Sequence, residues 1–373
     1  MVASQVDRGQ PEIFLRHSPM RGKNMSNPYK ALPETKFWKK AVSEARENIR
    51  PGMKKKFKIS KGQKVATAGS CFAQNVAKHL QKNPDINFLT AEPLFEMEPI
   101  FSGRYGNIYT AHQLLQIFDE CETETVDENC AIKREDGKYV DINRPYICKD
   151  GYDTPSAVVA ERKKHISAIK DVFKEADIFV FTLGLTEAWK SKDSGRVYPV
   201  CPGVYSTDPG FEYEFINYSF SQVKFAMQEF LNRFSNVNRE AKVLLTVSPV
   251  PLTATYSDDH ILVATTHSKS ILRAVCSELT EEYNNVFYFP SFEMIANPYT
   301  ERSSYVTENL REVRTDEIET VMGFFDSEYL NKVDENSETT SHTWQSADNS
   351  NTSDAAENDI YCDDVEIEKS MGF

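Results

Sequence analysis

Between residues 64 and 326 the chain alternates short, almost unbroken apolar runs with longer stretches in which apolar residues recur every three or four positions. Lys64 to Gly69 (KVATAG) predicts a short buried strand, and Cys71 to Leu80 follows as a helix with Phe72, Val76 and Leu80 on one face. Asp177 to Leu185 (DIFVFTLGL), Lys242 to Ser248 (KVLLTVS) and Val286 to Phe289 (VFYF) have the same strand character. Thr154-Pro155 opens a second helix, an N-cap followed by Pro at the first helical position. Val158, Val159, His165, Ile166, Ile169, Val172 and Phe173 give that helix its apolar stripe. Further helices are predicted over Phe220 to Phe234, Ile261 to Glu282 and Asp316 to Phe325, and a hairpin around Asp136-Gly137 in an otherwise mixed region from 90 to 150.

Strands that are apolar on both faces, separated by segments long enough to cross over, imply an α/β fold: a three-layer parallel sheet flanked by helices, with the mixed region inserted. Ligands of such sheets collect beyond the carboxyl ends of the strands. Ser70, Gly184 to Glu187, Ser248 to Pro251 and Ser291 to Glu293 should therefore converge on one rim.

Composition changes this picture mainly at the ends of the chain. With 373 residues, 40% of them hydrophobic and 27% charged, a sizeable core and an ordinary soluble surface are expected. The net charge of −13 is concentrated: Ser327 to Phe373 holds twelve acids against two lysines, so the remainder is nearly balanced. That stretch is rich in Ser, Thr, Asn and Asp and poor in apolar groups, which predicts an acidic disordered tail over 327–373. Its YCDDVEIE segment has the character of a short docking element, with no partner indicated. Residues 1–26 lack hydrophobic periodicity and read as a flexible N-terminal segment.

No apolar run approaches the length of a membrane span, and no secretory signal is visible at the start. Seven scattered cysteines without C-x-x-C spacing fit reduced thiols, so a cytoplasmic protein is expected. Lys54, Lys55, Lys56, Lys58, Lys61 and Lys64 form a basic run. It lacks interleaved aromatics and reads as the solvated approach to a strand, so no nucleic-acid partner is expected. No phosphate-binding glycine loop and no metal-ligand spacing occur, which implies neither a nucleotide cofactor nor a metal.

The candidate chemistry begins at Gly69-Ser70. Small residues there allow a sharp strand-to-helix turn that presents Ser70 beside the free N–H groups of a helix start, where a developing oxyanion is favoured. Serine is also a preferred N-cap, and Ser70 can equally be read as a cap alone.

Gly69-Ser70-Cys71-Phe72-Ala73 is accompanied by other distinctive blocks. They are Pro28 to Pro33 with Phe37-Trp38, Arg104 to Thr110 (RYGNIYT), Thr182 to Trp189 (TLGLTEAW) and Thr246 to Thr255 (TVSPVPLTAT). Ser268 to Arg273 and Tyr288 to Met294 (YFPSFEM) complete the set. From about residue 27 to 326 these blocks resemble the GSCFA family, whose fold is similar to that of SGNH hydrolases. The resemblance implies one domain over 27–326 and Ser70 as nucleophile. It further implies an oxyanion or substrate-binding role for Gly106 (Gly103 is its rival) with Asn107 nearby. Gly184-Leu185-Thr186-Glu187 stands where the SGNH pattern has Gly-x-Asn-Asp, which puts Thr186 in the Asn position and leaves Glu187 to orient a base or bind substrate. Asn309 to Glu312 stands where Asp-x-x-His is expected, so Glu312 occupies the His position. The alternative base is His260, beside Asp258 and Asp259, with His267 as its rival. Cys71 is expected to turn away from the rim. The implied activity is a Ser-dependent esterase or O-acyltransferase on a small-molecule or carbohydrate ester. The two departures from the pattern leave a non-catalytic sugar- or ligand-binding protein as the alternative.

Overall fold

The computed structural model describes residues 27–46, 49–92, 101–300, 302–330 and 363–372. The expected flexible segment 1–26 lies outside them. The chain divides into two units, Met1–Ala45 and Arg46–Phe373. The described part of the first is a series of short helical turns, Pro28–Ala31, Glu34–Lys36 and Lys39–Ser43, none of which buries a residue.

The second unit begins with β1 (Lys64–Gly69), α1 (Cys71–Lys82), β2 (Asn87–Phe88) and α2 (Ala111–Thr123). A hairpin of β3 (Ala131–Lys133) and β4 (Tyr139–Asp141) precedes α3 (Pro155–Glu175) and β5 (Ile178–Leu183). A second excursion, β6 (Glu187–Ser191), β7 (Val197–Tyr198) and β8 (Tyr213–Asn217), leads to α4 (Phe220–Val237) and β9 (Lys242–Val247). The chain continues through α5 (Ile261–Glu282), β10 (Val286–Tyr288), α6 (Ser291–Ile295) and α7 (Thr315–Tyr329). A last helix, α8 (Asp363–Met371), lies within the stretch expected to be disordered, so that expectation does not extend to it.

Five strands form one parallel sheet in the order β10-β9-β5-β1-β2. Successive strand residues alternate between two buried faces. Ala66, Ala68, Phe179, Phe181, Val243 and Leu245 point into a core shared with α2, α3, α4 and α5. Val65, Ile178, Val180 and Leu244 point into a second core with α1 and α7. Both faces are covered, and the fold is the expected three-layer α/β arrangement. The register aligns Gly69 with Thr182, and Thr182 with Thr246, so the central strands end at one level. The insertions form two small antiparallel sheets, β3-β4 and β7-β6-β8.

A buried charged network ties the β3-β4 hairpin to α2 and α3. Arg162 donates to Asp141 at 3.0 Å and to Glu120 at 2.5 Å, and Arg144 donates to Asp141 at 3.0 Å. His165 meets Glu92 at 2.8 Å. Asp141 sits well below the usual carboxylate range: burial opposes ionisation, but Arg162 and Arg144 outweigh it. His165 is pushed down to about 4 by burial and by the same two arginines. No described helix is long and apolar enough to cross a membrane, and the six described cysteines are free thiols.

Candidate functional site

The turn from β1 into α1 requires glycine at position 69. Gly69 has φ +145, and a Cβ there would lie 2.6 Å from the Thr182 carbonyl oxygen of the neighbouring strand. Ser70 follows in the extended N-cap conformation, its N–H donating to that same carbonyl at 3.2 Å. Its side chain makes no capping bond. The hydroxyl is buried (the residue is 1% exposed) and has no hydrogen-bond partner among the described residues. The caps of α2 and α3 behave differently: Thr110 accepts from the Gln113 N–H at 3.2 Å and Thr154 from the Ala157 N–H at 3.3 Å. Ser70 has a capping residue's backbone and withholds its oxygen from the cap.

Ser70 belongs to the wall of a small cleft of about 30 Å³ at the strand ends. Ser70 and Cys71 contribute from β1 and α1, Gly184 and Leu185 from the turn after β5, and Ser248 with Val250 to Thr253 from the segment after β9. Tyr109 and Lys269 complete it. The convergence expected of the strand ends thus holds for β1, β5 and β9. Ser291, after β10, instead shares a hydrogen bond with Thr246 at 2.6 Å beneath the rim.

The rest of the wall is fixed through backbone contacts. The Ile108 N–H donates to the Gly69 carbonyl at 2.8 Å, and the Tyr109 carbonyl accepts from the N–H groups of Gly184 and Leu185. Gly184 packs so closely that an added Cβ would stand 3.0 Å from both Ser70 Cβ and Tyr109 Cδ1. Lys269, 4% exposed on α5, donates from Nζ to the Gly184 carbonyl at 2.5 Å. Arg311 approaches from the side, donating to Thr253 Oγ1 at 2.6 Å and to the Pro251 carbonyl at 3.3 Å.

The other expected residues are distributed around this cleft. Asn107 is buried, accepting from Gln74 Nε2 at 2.9 Å and donating to Asp363 at 3.1 Å. Gly106 (φ +72) packs against the turn at Asn143 to Tyr146, and Gly103 against Ile169 and Tyr105. The Thr186 hydroxyl donates to Asn217 at 2.7 Å, and its N–H to Ser268 Oγ at 2.9 Å. Glu187 accepts from Thr255 Oγ1 at 2.6 Å, and burial raises its carboxyl above the ordinary range despite that bond. Gly106, Thr186 and Glu187 do not line the cleft.

His260 and Glu312 also stand outside the lining, and both are exposed. His260 caps α5, with Nδ1 accepting from the Leu262 N–H at 3.2 Å. The Glu312 N–H donates to Asn309 at 3.0 Å. His267 is exposed on α5, near Glu187. Cys71, expected to be buried with its side chain away from the rim, is buried, and the residue borders the cleft. Among the described residues no cluster of His, Cys, Asp or Glu could hold a metal ion.

Two residues at the cleft, Lys269 and Arg311, are not among those expected from the sequence. Lys269 carries a legible signal: it falls inside the buried stripe of α5, beside Ser268 and one turn before Leu272, where a charge is out of place. Arg311 lies in an irregular segment, where no periodicity says which side chain turns inward.

A serine hydroxyl at a helix N-terminus, with a buried amine bordering the same cleft, has the elements that acyl-transfer chemistry uses. No curated protein matches this chain in sequence. The family model described as the GSCFA family matches residues 64–325, from β1 into α7. The chain therefore belongs to the GSCFA family.

Proposed function

We propose that this protein is a Ser70-dependent esterase or O-acyltransferase acting on O-acyl groups of a small molecule such as a carbohydrate. The observation that carries the proposal is that Ser70 lines the cleft at the N-terminus of α1 and keeps a buried, unpartnered hydroxyl. Leaving a buried hydroxyl unpaired costs about 1–3 kcal/mol, and a bound ester gives that group something to act on. Ser70 Oγ attacks the acyl carbon, a C–O bond forms, and the carbonyl electron pair moves to oxygen beside the N–H groups of the first turn of α1. The hydroxyl proton passes to the base. Collapse breaks the bond to the leaving alcohol, which takes the proton and departs. Water or an acceptor hydroxyl then attacks the acyl-Ser70 ester by the same steps, giving hydrolysis or transfer.

Lys269 is the titratable amine that shares the cleft with Ser70, and we give its unprotonated form the role of base. His260 can take that role only if its ring leaves the Leu262 cap, and Glu312 only if its segment turns inward. The free thiols and the lack of a membrane-crossing helix among the described residues are consistent with a cytoplasmic setting.

The test is labelling of the pure protein with a fluorophosphonate probe. Wild type should react, Ser70→Ala should not, and Lys269→Met should react at least about 100-fold more slowly. Labelling that persists in Ser70→Ala, or a wild type inert at every pH at which it is folded, overturns the proposal. Labelling lost in His260→Ala but kept in Lys269→Met would return the base to His260.

A further inference from the structure

Asp363, the first residue of α8, is 3% exposed and inserted among three neutral donors. Its Oδ2 accepts from the Tyr109 hydroxyl at 2.8 Å and from Asn107 Nδ2 at 3.1 Å, and its Oδ1 accepts from the Tyr205 hydroxyl at 3.0 Å. Both oxygens of one carboxylate are therefore gathered. Towards the end of α8, Lys369, Ser370 and Met371 are exposed, and Glu368 lies 3.8 Å from Arg311.

The donors, by contrast, are fixed by the domain. Gln74, on α1 just after Ser70, donates to the Asn107 amide oxygen and so turns the Asn107 NH2 toward the carboxylate. Tyr109 is anchored through its carbonyl to the turn after β5, and it lines the Ser70 cleft. Asn107, Tyr109 and Tyr205 converge on one point, and a neutral hydroxyl offers only one oxygen for the three of them. A carboxylate satisfies all three with charge-assisted bonds.

We infer that Asn107, Tyr109 and Tyr205 form a carboxylate-binding subsite of the Ser70 cleft, held here by the chain's own Asp363. Its external ligand is a carboxylate-bearing compound that displaces α8. This deepens the acyl-transfer reading, on which it rests for the identity of the ligand as substrate, by making that substrate acidic. Residues 331–362 join Asp363 to α7, so the competition is intramolecular. Apparent affinity falls by the fraction of molecules in which the subsite is open.

The test is calorimetric titration of the full chain with glucuronate, succinate and glucose, with amide exchange over residues 363–371 followed in parallel. At least one of the two acids should bind Asp363→Ala about tenfold or more tighter than wild type, and glucose should not. Which acid binds separates an acidic sugar from a simple diacid. Adding Tyr205→Phe to Asp363→Ala should weaken that binding, and saturating acid should speed exchange of 363–371 in wild type. The inference is overturned if neither acid prefers Asp363→Ala, or if glucose binds as well as glucuronate. Fluorophosphonate labelling of the same preparations keeps the two readings apart. Binding without labelling removes only the chemistry at Ser70, and labelling without binding removes only the subsite.

Discussion

Gly184 and Ser70 are packed so closely that a Cβ on the former would stand 3.0 Å from the Cβ of the latter. The glycine after β5 thus sets how near Ser70 and the Lys269-bearing wall can come. Gly184→Ala should move Ser70 or Tyr109 by a few tenths of an ångström and cost about 1–2 kcal/mol of stability, as overpacking does. Labelling of Ser70 should slow about tenfold or more, since reactive geometry tolerates little displacement. Urea unfolding read alongside labelling rate checks both; unchanged labelling would detach Gly184 from the site.

Ser70→Ala should leave stability unchanged or slightly higher. The hydroxyl it removes has no partner to lose and caps no N–H. Thr154→Ala, at the α3 cap, should instead cost about 1 kcal/mol. Comparing the two unfolding midpoints tests whether position 70 is maintained for reactivity; a comparable loss at both would make Ser70 an ordinary cap.

Arg162→Met should be among the most destabilising single changes in the domain. It would leave Asp141 and Glu120 buried without their shared cation, a loss of about 3–5 kcal/mol. A chemical-denaturation midpoint close to that of wild type would show that Arg144 and Arg196, which also reach these carboxylates, suffice.

Mild acid should weaken the fold through two buried histidines. His112 and His165 are both pushed down to about 4, chiefly by burial. The unfolded chain binds their protons first, so their contribution is complete above about pH 6.5 and is lost as pH falls toward 4. His165 accounts for up to about 3 kcal/mol of this, and the half-buried His112 for less. His112→Phe should keep the stack on Tyr218, whose ring centroid is 3.5 Å away, and flatten the decline between pH 6.5 and 4.5. An equally steep decline in the variant would assign the effect elsewhere.

The layers of the fold were legible because the strands are apolar on both faces, a pattern that a strand with one wet face does not show. Ile261 to Glu282 is helical over the predicted span, whereas α7 runs to Tyr329, beyond the expected Phe325. The rim was legible for the same reason, since strand ends locate it without any knowledge of chemistry. The partners of Ser70 were harder. His260 stands beside two aspartates in the sequence, as a catalytic histidine would, yet its ring nitrogen serves a helix start. Glu312 and Arg311 are neighbours in an irregular segment, and only the fold shows that the arginine turns toward the cleft. Lys269 was readable as a misplaced charge. The docking of Asp363 was not, because a lone acid in a polar tail carries no periodicity to say where it goes.

The sheet order places Ser70 next to strands that are synthesised much later. Most of its neighbours in the cleft come from the segments after β5 and β9 and from α5, far along the chain. While the chain is leaving the ribosome, Ser70 therefore lacks this cleft, and its surroundings are complete only after α5 has emerged and docked. A fragment ending before β9 can carry the whole signature around Ser70 and still have no cleft. The cleft is withheld from incomplete chains by the order of the strands alone.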